Sequence, residues 1–449
     1  MDYKLTVGLE IHAELKTRTK MFCDSKNDPD EKSPNANICP VCMGYPGTLP
    51  VINREAVKSI LRLGVAVGGK LADYAEFDRK NYFYPDIPKG YQISQYKHPL
   101  ISGGELSGVK LTRIHLEEDT ARSTHDKGEE SLVDFNRAGV PLMELVTEPV
   151  IHSAEEAASF AKELQLLLQY LGISEANMEK GEMRVEANVS VSKTSDFGTK
   201  VEVKNLNSFR ATAKAIDFEY KRQVELIDKG EKVAQETRGW DENAGETFSQ
   251  RAKEESHDYR YFPDPDLPKL FIKEIPEFSE ENLKATLPEL PWDRRRRLLN
   301  LGVSPEHAEI YVTQPEWGTY FGEVSQTLKE PELIITASNY ITSELKTPID
   351  ANEFAETVRM IGTGEISSKG AKEILKILQA QGGEARAIAE KNNLMQISDR
   401  GQLQKFAEEA VTENKEAPIQ FLVGQVIKKS GGRANPAIAQ ELLLEMLNR

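Results

Sequence analysis

Cysteine is scarce: there are three in 449 residues, at positions 23, 39 and 42. So low and odd a count is no disulfide framework and points to a reducing compartment, so the expected location is cytoplasmic. No apolar run approaches the ~18–20 residues that a membrane span needs. The N-terminus, MDYKLTVGLEIH, lacks a basic start followed by an apolar core, so neither a membrane anchor nor a signal peptide is expected. Positive charge is also short. Lys plus Arg is 57 against 72 Asp plus Glu, a formal charge of −15. That excludes a general nucleic-acid coat and confines any such contact to a local basic patch. Familiar catalytic signatures are missing too, with no HExxH and no GxSxG. Gly103 and Gly108 have Walker A spacing, but Val109 stands where the lysine belongs, so any ATP is bound without a P-loop.

What is present reads as an α+β protein. Residues 3–16 alternate strictly, with Leu5, Val7, Leu9, Ile11, Ala13 and Leu15 on one face and Lys4, Thr6, Glu10, His12, Glu14 and Lys16 on the other. A helix is predicted at about 54–68, capped by Asn53, and strands at 109–117, 132–137 and 142–148. The next helix, 154–171, has a Ser153/Glu156 capping box and stops at Gly172. Strand 183–192 pairs with 199–204 as a hairpin, and a helix at 209–229 runs from Ser208 to Gly230. This order is not a regular βαβ alternation, so the expected N-terminal sheet is mixed and largely antiparallel. Six prolines crowd 258–291, the mark of a domain edge, and helical periodicity dominates afterwards. The expected division is a catalytic domain at 1–290, a helical domain at 291–375 and a helical tail at 376–449. Charge divides likewise: residues 291–449 carry a net −3, leaving −12 for 1–290.

Four groups of residues bear chemistry. Glu10 and His12 share one face of the first strand, Glu144 and Glu148 share another, Glu186 lies beside Arg184 and Asn188, and Glu117-Glu118-Asp119 ends a strand. Carboxylates converging on one sheet face repel unless a cation lies between them, and such oxygen-rich sets suit Mg²⁺ holding phosphates. An ordinary solvated sheet face has the same pattern. Cys23, Cys39 and Cys42 have zinc-knuckle character with one thiolate missing, a place open to Asp24, and equally describe buried metal-free thiols. Asp78-Arg79-Lys80-Asn81-Tyr82-Phe83-Tyr84-Pro85-Asp86 and its sister Asp258-Tyr259-Arg260-Tyr261-Phe262-Pro263-Asp264 set cations among aromatics. Either could grip a phosphate and stack a base, or simply pack on the core. Arg294–Arg297 reads best as a solvated helix face, and Lys428, Lys429 and Arg433 offer a weak RNA contact.

In order along the chain, these stretches resemble one family, the B subunits of the aspartyl/glutamyl-tRNA(Asn/Gln) amidotransferases (GatB). The matching segments are Val7-Gly8-Leu9-Glu10-Ile11-His12-Ala13-Glu14-Leu15, Phe77–Asp86, Tyr91-Gln92-Ile93-Ser94-Gln95, His115–Asp119, Asp134–Glu144, Val203–Phe209 and Gln235-Glu236-Thr237-Arg238. The tail adds Phe421–Gln425 and Ala434-Asn435-Pro436. The resemblance implies a glutamine-dependent ligase forming carbon–nitrogen bonds. ATP phosphorylates the side-chain carboxylate of misacylated Glu-tRNA(Gln) or Asp-tRNA(Asn). Ammonia from a partner glutaminase (amidase), the A subunit of the enzyme, then attacks, and a small C subunit is the third member. The resemblance implies Mg²⁺ on His12, Glu118 and Glu144, with Glu186 nearby. It places Arg79, Lys80, Glu10 and Glu117 in catalysis, and Lys428, Lys429 and Arg433 on the tRNA. The rival reading is a non-catalytic tRNA-binding scaffold. Two departures from the family stand out: Ser25 occupies the place of a fourth cysteine, and Glu186 replaces an aspartate.

Overall fold

The alternation of the first strand sets the architecture. β1 (Lys4–Glu14) buries Val7, Leu9, Ile11 and Ala13 and turns Glu10, His12 and Glu14 the other way. It lies inside a ten-stranded sheet. The order is β15 (Glu246–Ala252), β14 (Glu236–Asp241), β13 (Val201–Leu206), β12 (Met183–Ser192), β1, β11 (Pro141–Thr147), β8 (Val109–Glu118), β6 (Ile101–Ser102) and β2 (Lys70–Leu71), with β7 (Glu105–Leu106) beside β8. Every pairing is antiparallel except β13 with β14. The computed structural model describes residues 3–124, 130–252, 259–397, 399–414 and 417–447. It divides into two compact units, Met1–Leu290 and Pro291–Arg449.

Helices cover the apolar face of the sheet. α1 (Arg54–Ala66) packs on β8, and α2 (Ala154–Tyr170) and α3 (Phe209–Asp228) pack on β1 and β12. Their ends follow capping chemistry. Asn53 accepts from two backbone N–H groups of α1, and Ser153 accepts from Glu156, whose carboxylate takes the His152 N–H. A cap of this kind contributes about 1 kcal/mol. Gly172 and Gly230, just past α2 and α3, have positive φ of 66° and 78°, where a side chain would be strained.

Smaller sheets complete the first unit. β4 (Asp78–Asn81) lies between β5 (Tyr91–Ser94) and β16 (Phe262–Pro263), and β3 (Tyr74–Ala75) pairs with β17 (Leu270–Phe271). The strand expected at 132–137 is shorter. Only β10 (Leu132–Asp134) forms, and it pairs with β9 (Arg122–Thr124), apart from the main sheet. The Asn136 side chain bonds the 31–35 loop and bends the chain away.

After α4 (Glu280–Ala285), the second unit is helical, from α5 (Pro291–Asn300) to α14 (Pro436–Leu447). Pro305, Pro315, Pro331 and Pro436 each open a helix, where the missing N–H costs nothing. α12 (Arg400–Glu413), α13 (Ile419–Lys429) and α14 enclose a cluster that includes Leu403, Ala407, Leu422, Val426, Leu442 and Leu443. Among the described residues, no helix is long and apolar enough to cross a membrane.

Candidate active site

The face of the sheet opposite the helices carries a polar stripe, and pairing register builds it. His12 lies opposite Glu144 on one side and Arg184 on the other, Glu144 lies opposite His115, and Glu10 lies opposite Glu186. His12 Nε2 is 3.4 Å from Glu117 Oε1, 3.4 Å from Glu144 Oε2 and 3.9 Å from Glu10 Oε1. His115 Nε2 is 3.2 Å from Glu144 Oε2, and Arg113 Nη2 reaches Glu144 Oε1 at 3.4 Å. Beyond Glu10, Glu186 and Glu202 form a second carboxylate group bound by Lys204, whose Nζ donates to Glu186 at 2.6 Å.

Charge balance follows from this crowding. Burial pushes Glu10 up to about 7, with Glu144 and Glu186 adding to the rise against His12 and Lys204. Burial opposes charge on His12, but hydrogen bonds to Glu117 and Glu144 hold its pKa well above the usual imidazole value. Burial likewise opposes charge on Glu144, yet His115 and His12 keep its pKa well below the usual carboxylate range. Glu117 Oε2 is buried without a hydrogen-bond partner among the described residues. Carboxylates, an unpartnered buried oxygen and an imidazole that must give up its proton to coordinate make a donor set that suits a divalent cation.

The stripe floors an open cleft of about 450 Å³. Glu10, Arg113, His115, Glu144, Glu202 and Lys204 line it below, and Lys80, Tyr96, Tyr259 and Tyr261 line its walls. Burial opposes the Lys80 charge, but Glu117, with Tyr261 and Glu144, raises its pKa overall, so the ammonium is retained. The sister segment thus meets the first one: Lys80 Nζ lies 5.2 Å from the Tyr259 ring, and Tyr259 stands edge-on to Tyr82. Asp258 lies outside the described residues.

Three expected residues lie elsewhere. Glu118 does not join His12 and Glu144; Glu117 does. A bulge puts one extra residue, Thr112, into β8 opposite β11. Side chains beyond it reverse parity, so Ile114, Leu116 and Glu118 face the helix side and His115 and Glu117 face the stripe. Glu118 instead accepts from Ile93 N–H at 2.9 Å and Lys89 Nζ at 2.6 Å. Arg79, one residue from Lys80 on β4, also points away. It binds Asp264 at 2.9 Å and Asp266 at 2.8 Å and lies 4.2 Å above the Tyr91 ring. Glu148 accepts from Thr112 at 2.8 Å rather than sharing the cluster of Glu144. Residues unforeseen in the cleft are Arg113, Glu202, Lys204, Tyr96 and Gln250. Alternation along 201–206 was the signal for Glu202 and Lys204.

Two family models match the chain: the GatB/GatE catalytic domain over residues 5–276 and the GatB domain over 319–447. The chain belongs to the GatB family. Relatives named as the B subunit of aspartyl/glutamyl-tRNA(Asn/Gln) amidotransferase match along nearly the whole length. That of Gloeothece citriformis is 41% identical, covering 98% of this chain and 97% of the relative. Those of Brevibacillus brevis and Thermodesulfovibrio yellowstonii are each 41% identical, covering 99% and 100% of both chains respectively.

This GatB chain gathers Cys23, Cys39 and Cys42 with their sulfurs within 4.8 Å of one another. Cys39 N–H donates to Cys42 Sγ at 3.1 Å, and Ser25 Oγ lies 3.9 Å from that sulfur. The fully buried Lys20 places its ammonium 3.9 Å from Cys42 Sγ and donates to Phe135 O at 3.1 Å. Among the described residues Asp24 does not join the three sulfurs, and the Ser25 hydroxyl is the oxygen beside Cys42. Glu118 and Lys89 line the adjoining pocket. In the tail of this GatB chain, Lys429 is held by Glu409 at 3.3 Å and Glu413 at 2.7 Å, while Lys428 and Arg433 are exposed. In the arginine run of α5, Arg295 pairs with Glu309 at 2.7 Å.

Proposed function

We propose that this chain is the amide-forming member of a tRNA-dependent amidotransferase. It uses ATP to phosphorylate the side-chain carboxylate of Glu-tRNA(Gln), Asp-tRNA(Asn) or both, and exposes the acyl phosphate to ammonia. The carrying observation is the cleft that Glu10, His115, Glu144 and Lys80 line, with His12 3.4 Å from both Glu144 and Glu117 on the same polar stripe. A carboxylate is a poor electrophile until its oxygen can leave as phosphate, and transfer of a phosphoryl group is largely a problem of position and charge. His12, Glu117 and Glu144 would hold Mg²⁺, which neutralises charge on the transferring group when bound. Lys80 faces the same space and stabilises negative charge on the equatorial oxygens. Arg113 and Lys204 supply further positive charge for the polyphosphate. Glu10, outside that set but lining the same cleft, accepts the proton released by the attacking ammonia.

In this reading, ammonia comes from a glutaminase partner, the A subunit, and the small C subunit joins them in one complex. The relatives' designation as B subunits supports an enzyme of several chains. Three thiolates and the Ser25 hydroxyl would hold a structural Zn²⁺ at Cys23, Cys39 and Cys42. Lys428 and Arg433 would meet the tRNA backbone. The test is ATP turnover by the reconstituted complex. ADP release that requires Glu-tRNA(Gln) or Asp-tRNA(Asn), and amide formation that requires ATP, are expected. Amidation without ATP, or none at all, would reject the reading.

A further inference from the structure

Tyr96 and Tyr261 stack on the wall of the cleft, with ring centroids 4.5 Å apart and planes 9° from parallel. Tyr96 is nevertheless 54% exposed. A ring covered on one face and still half exposed has its other face open. The pair is held from both sides. Tyr96 N–H donates to the buried Asp78 Oδ2 at 2.8 Å, and its neighbour Gln95 is buried and accepts Leu116 N–H at 3.1 Å. Opposite, Arg260 has a positive φ of 42°, costly for a residue with a side chain. That turn sets Tyr259 and Tyr261 together, 6.0 Å apart and edge to face, both lining the cleft. Asn81 Nδ2 fixes it by donating to Arg260 O at 2.9 Å.

An open aromatic face beside Lys80, Arg113 and Lys204 suits a flat heteroaromatic ring that carries phosphate. We propose that the outer face of Tyr96, backed by Tyr261, is the stacking platform for an adenine base. The choice of base rests on the function proposed above, which brings two adenines to this cleft: that of ATP and that of the tRNA 3′ end. Stacking uses the face of the base and needs no hydrogen-bond code. Tyr96 is therefore a positioning residue that acts through binding.

The test places 2-aminopurine, whose fluorescence falls on stacking, in two probes: 2-aminopurine riboside triphosphate, and an acceptor-stem RNA hairpin ending in 2-aminopurine. Each is titrated into the assembled complex. One probe is expected to be quenched, with affinity falling about 5- to 150-fold in Tyr96→Ala and held within about threefold in Tyr96→Phe. Loss with the triphosphate names the nucleotide as occupant; loss with the hairpin names the RNA end. No quenching in the wild type, equal affinity in Tyr96→Ala, or equal losses in Ala and Phe variants would overturn the platform. Matching thermal melts of the variants keep the comparison valid. Because the readout is binding, a complex that stacks the probe but forms no amide refutes the proposed reaction and leaves the platform standing.

Discussion

Glu117 and Glu118 are neighbours on β8 with opposite duties. Glu117 Oε1 lies 3.4 Å from His12 Nε2 on the polar stripe, while Glu118 Oε1 accepts the Ile93 N–H at 2.9 Å on the helix side. Glu117→Gln removes a charge where phosphate and cation would meet. Phosphoryl transfer should fall about 10²–10³-fold or more, the scale of removing one group that stabilises charge in a transition state, while glutaminase activity of the complex persists. Glu118→Gln removes the charge partner of the half-buried Lys89 ammonium and should cost about 1–3 kcal/mol of stability with phosphoryl transfer largely kept. Acyl-phosphate assays and thermal melts on both variants check this. The reverse pattern would return the role to Glu118.

Lys80 and Arg79 make a similar pair across β4. Lys80→Met should lower kcat about 10²–10³-fold with little change in melting temperature. Arg79→Met strands two aspartates, of which Asp264 is buried, and should destabilise by about 3–5 kcal/mol. Equal kcat losses in variants of equal stability would show that both cations work in the cleft.

The sequence made the sheet legible because period-2 alternation is a strong signal wherever one face is buried. β1 and β12 both follow it, and the caps at Asn53, Ser153 and Ser208 are local hydrogen bonds that need no tertiary information. What stayed hidden was non-local. The bulge at Thr112 arises from pairing with β11, so counting outward from Val109 and Leu111 puts Glu118 on the polar face, and only the bulge reverses it. The partner of Lys80 comes from a segment about 180 residues later, which no spacing rule connects. Arg79 looked like its neighbour by composition, but on a strand adjacent residues face opposite sides.

The cysteine cluster predicts metal content. Zinc at Cys23, Cys39 and Cys42 should appear as about one equivalent per chain in protein purified without chelator. Stripping should lower the melting temperature, because structural zinc contributes up to about 10–16 kcal/mol in isolated fingers and less in an incomplete site. Elemental analysis well below one equivalent, together with an unchanged melt after chelation, would leave Lys20 as the charge partner of Cys42 and the site metal-free.

Glu14 gives a pH signature away from catalysis. Burial, with Asp119, raises its pKa to about 7, against Arg137 and Arg184. In the unfolded chain it titrates near ~4.3. Between these values the folded chain keeps a proton that the unfolded chain has released, so its contribution to stability falls as pH rises from about 4.5 through about 7. The full loss is about 3–4 kcal/mol. Glu14→Gln should therefore be more stable than wild type at pH ~8 and equal to it near pH ~4.5. Urea midpoints at both pH values check this; a gap that does not change with pH would exclude titration of Glu14 as its cause.

The tail separates three cations that look alike in sequence. Lys429 is half-buried and held by Glu409 and Glu413 on α12, so it stitches α13 to α12. Among the described residues Lys428 is exposed and in no ion pair, and the exposed Arg433 side chain donates to the Ser430 carbonyl at 3.4 Å. If the tail meets tRNA, Lys428 and Arg433 should carry it. Each phosphate that the protein no longer neutralises lowers the slope of log affinity against log salt by about 0.7–0.9. Lys428→Gln with Arg433→Gln should thus cut that slope by about 1.5 and raise KM for aminoacyl-tRNA several-fold, with ATP KM unchanged. Lys429→Gln should leave the slope alone and change stability little, since ion pairs screened by solvent contribute weakly. A slope that drops for Lys429→Gln and not for the double variant would reverse the roles. If neither slope changes, these cations do not meet the tRNA, and the tail's contribution lies in the packing of α12, α13 and α14.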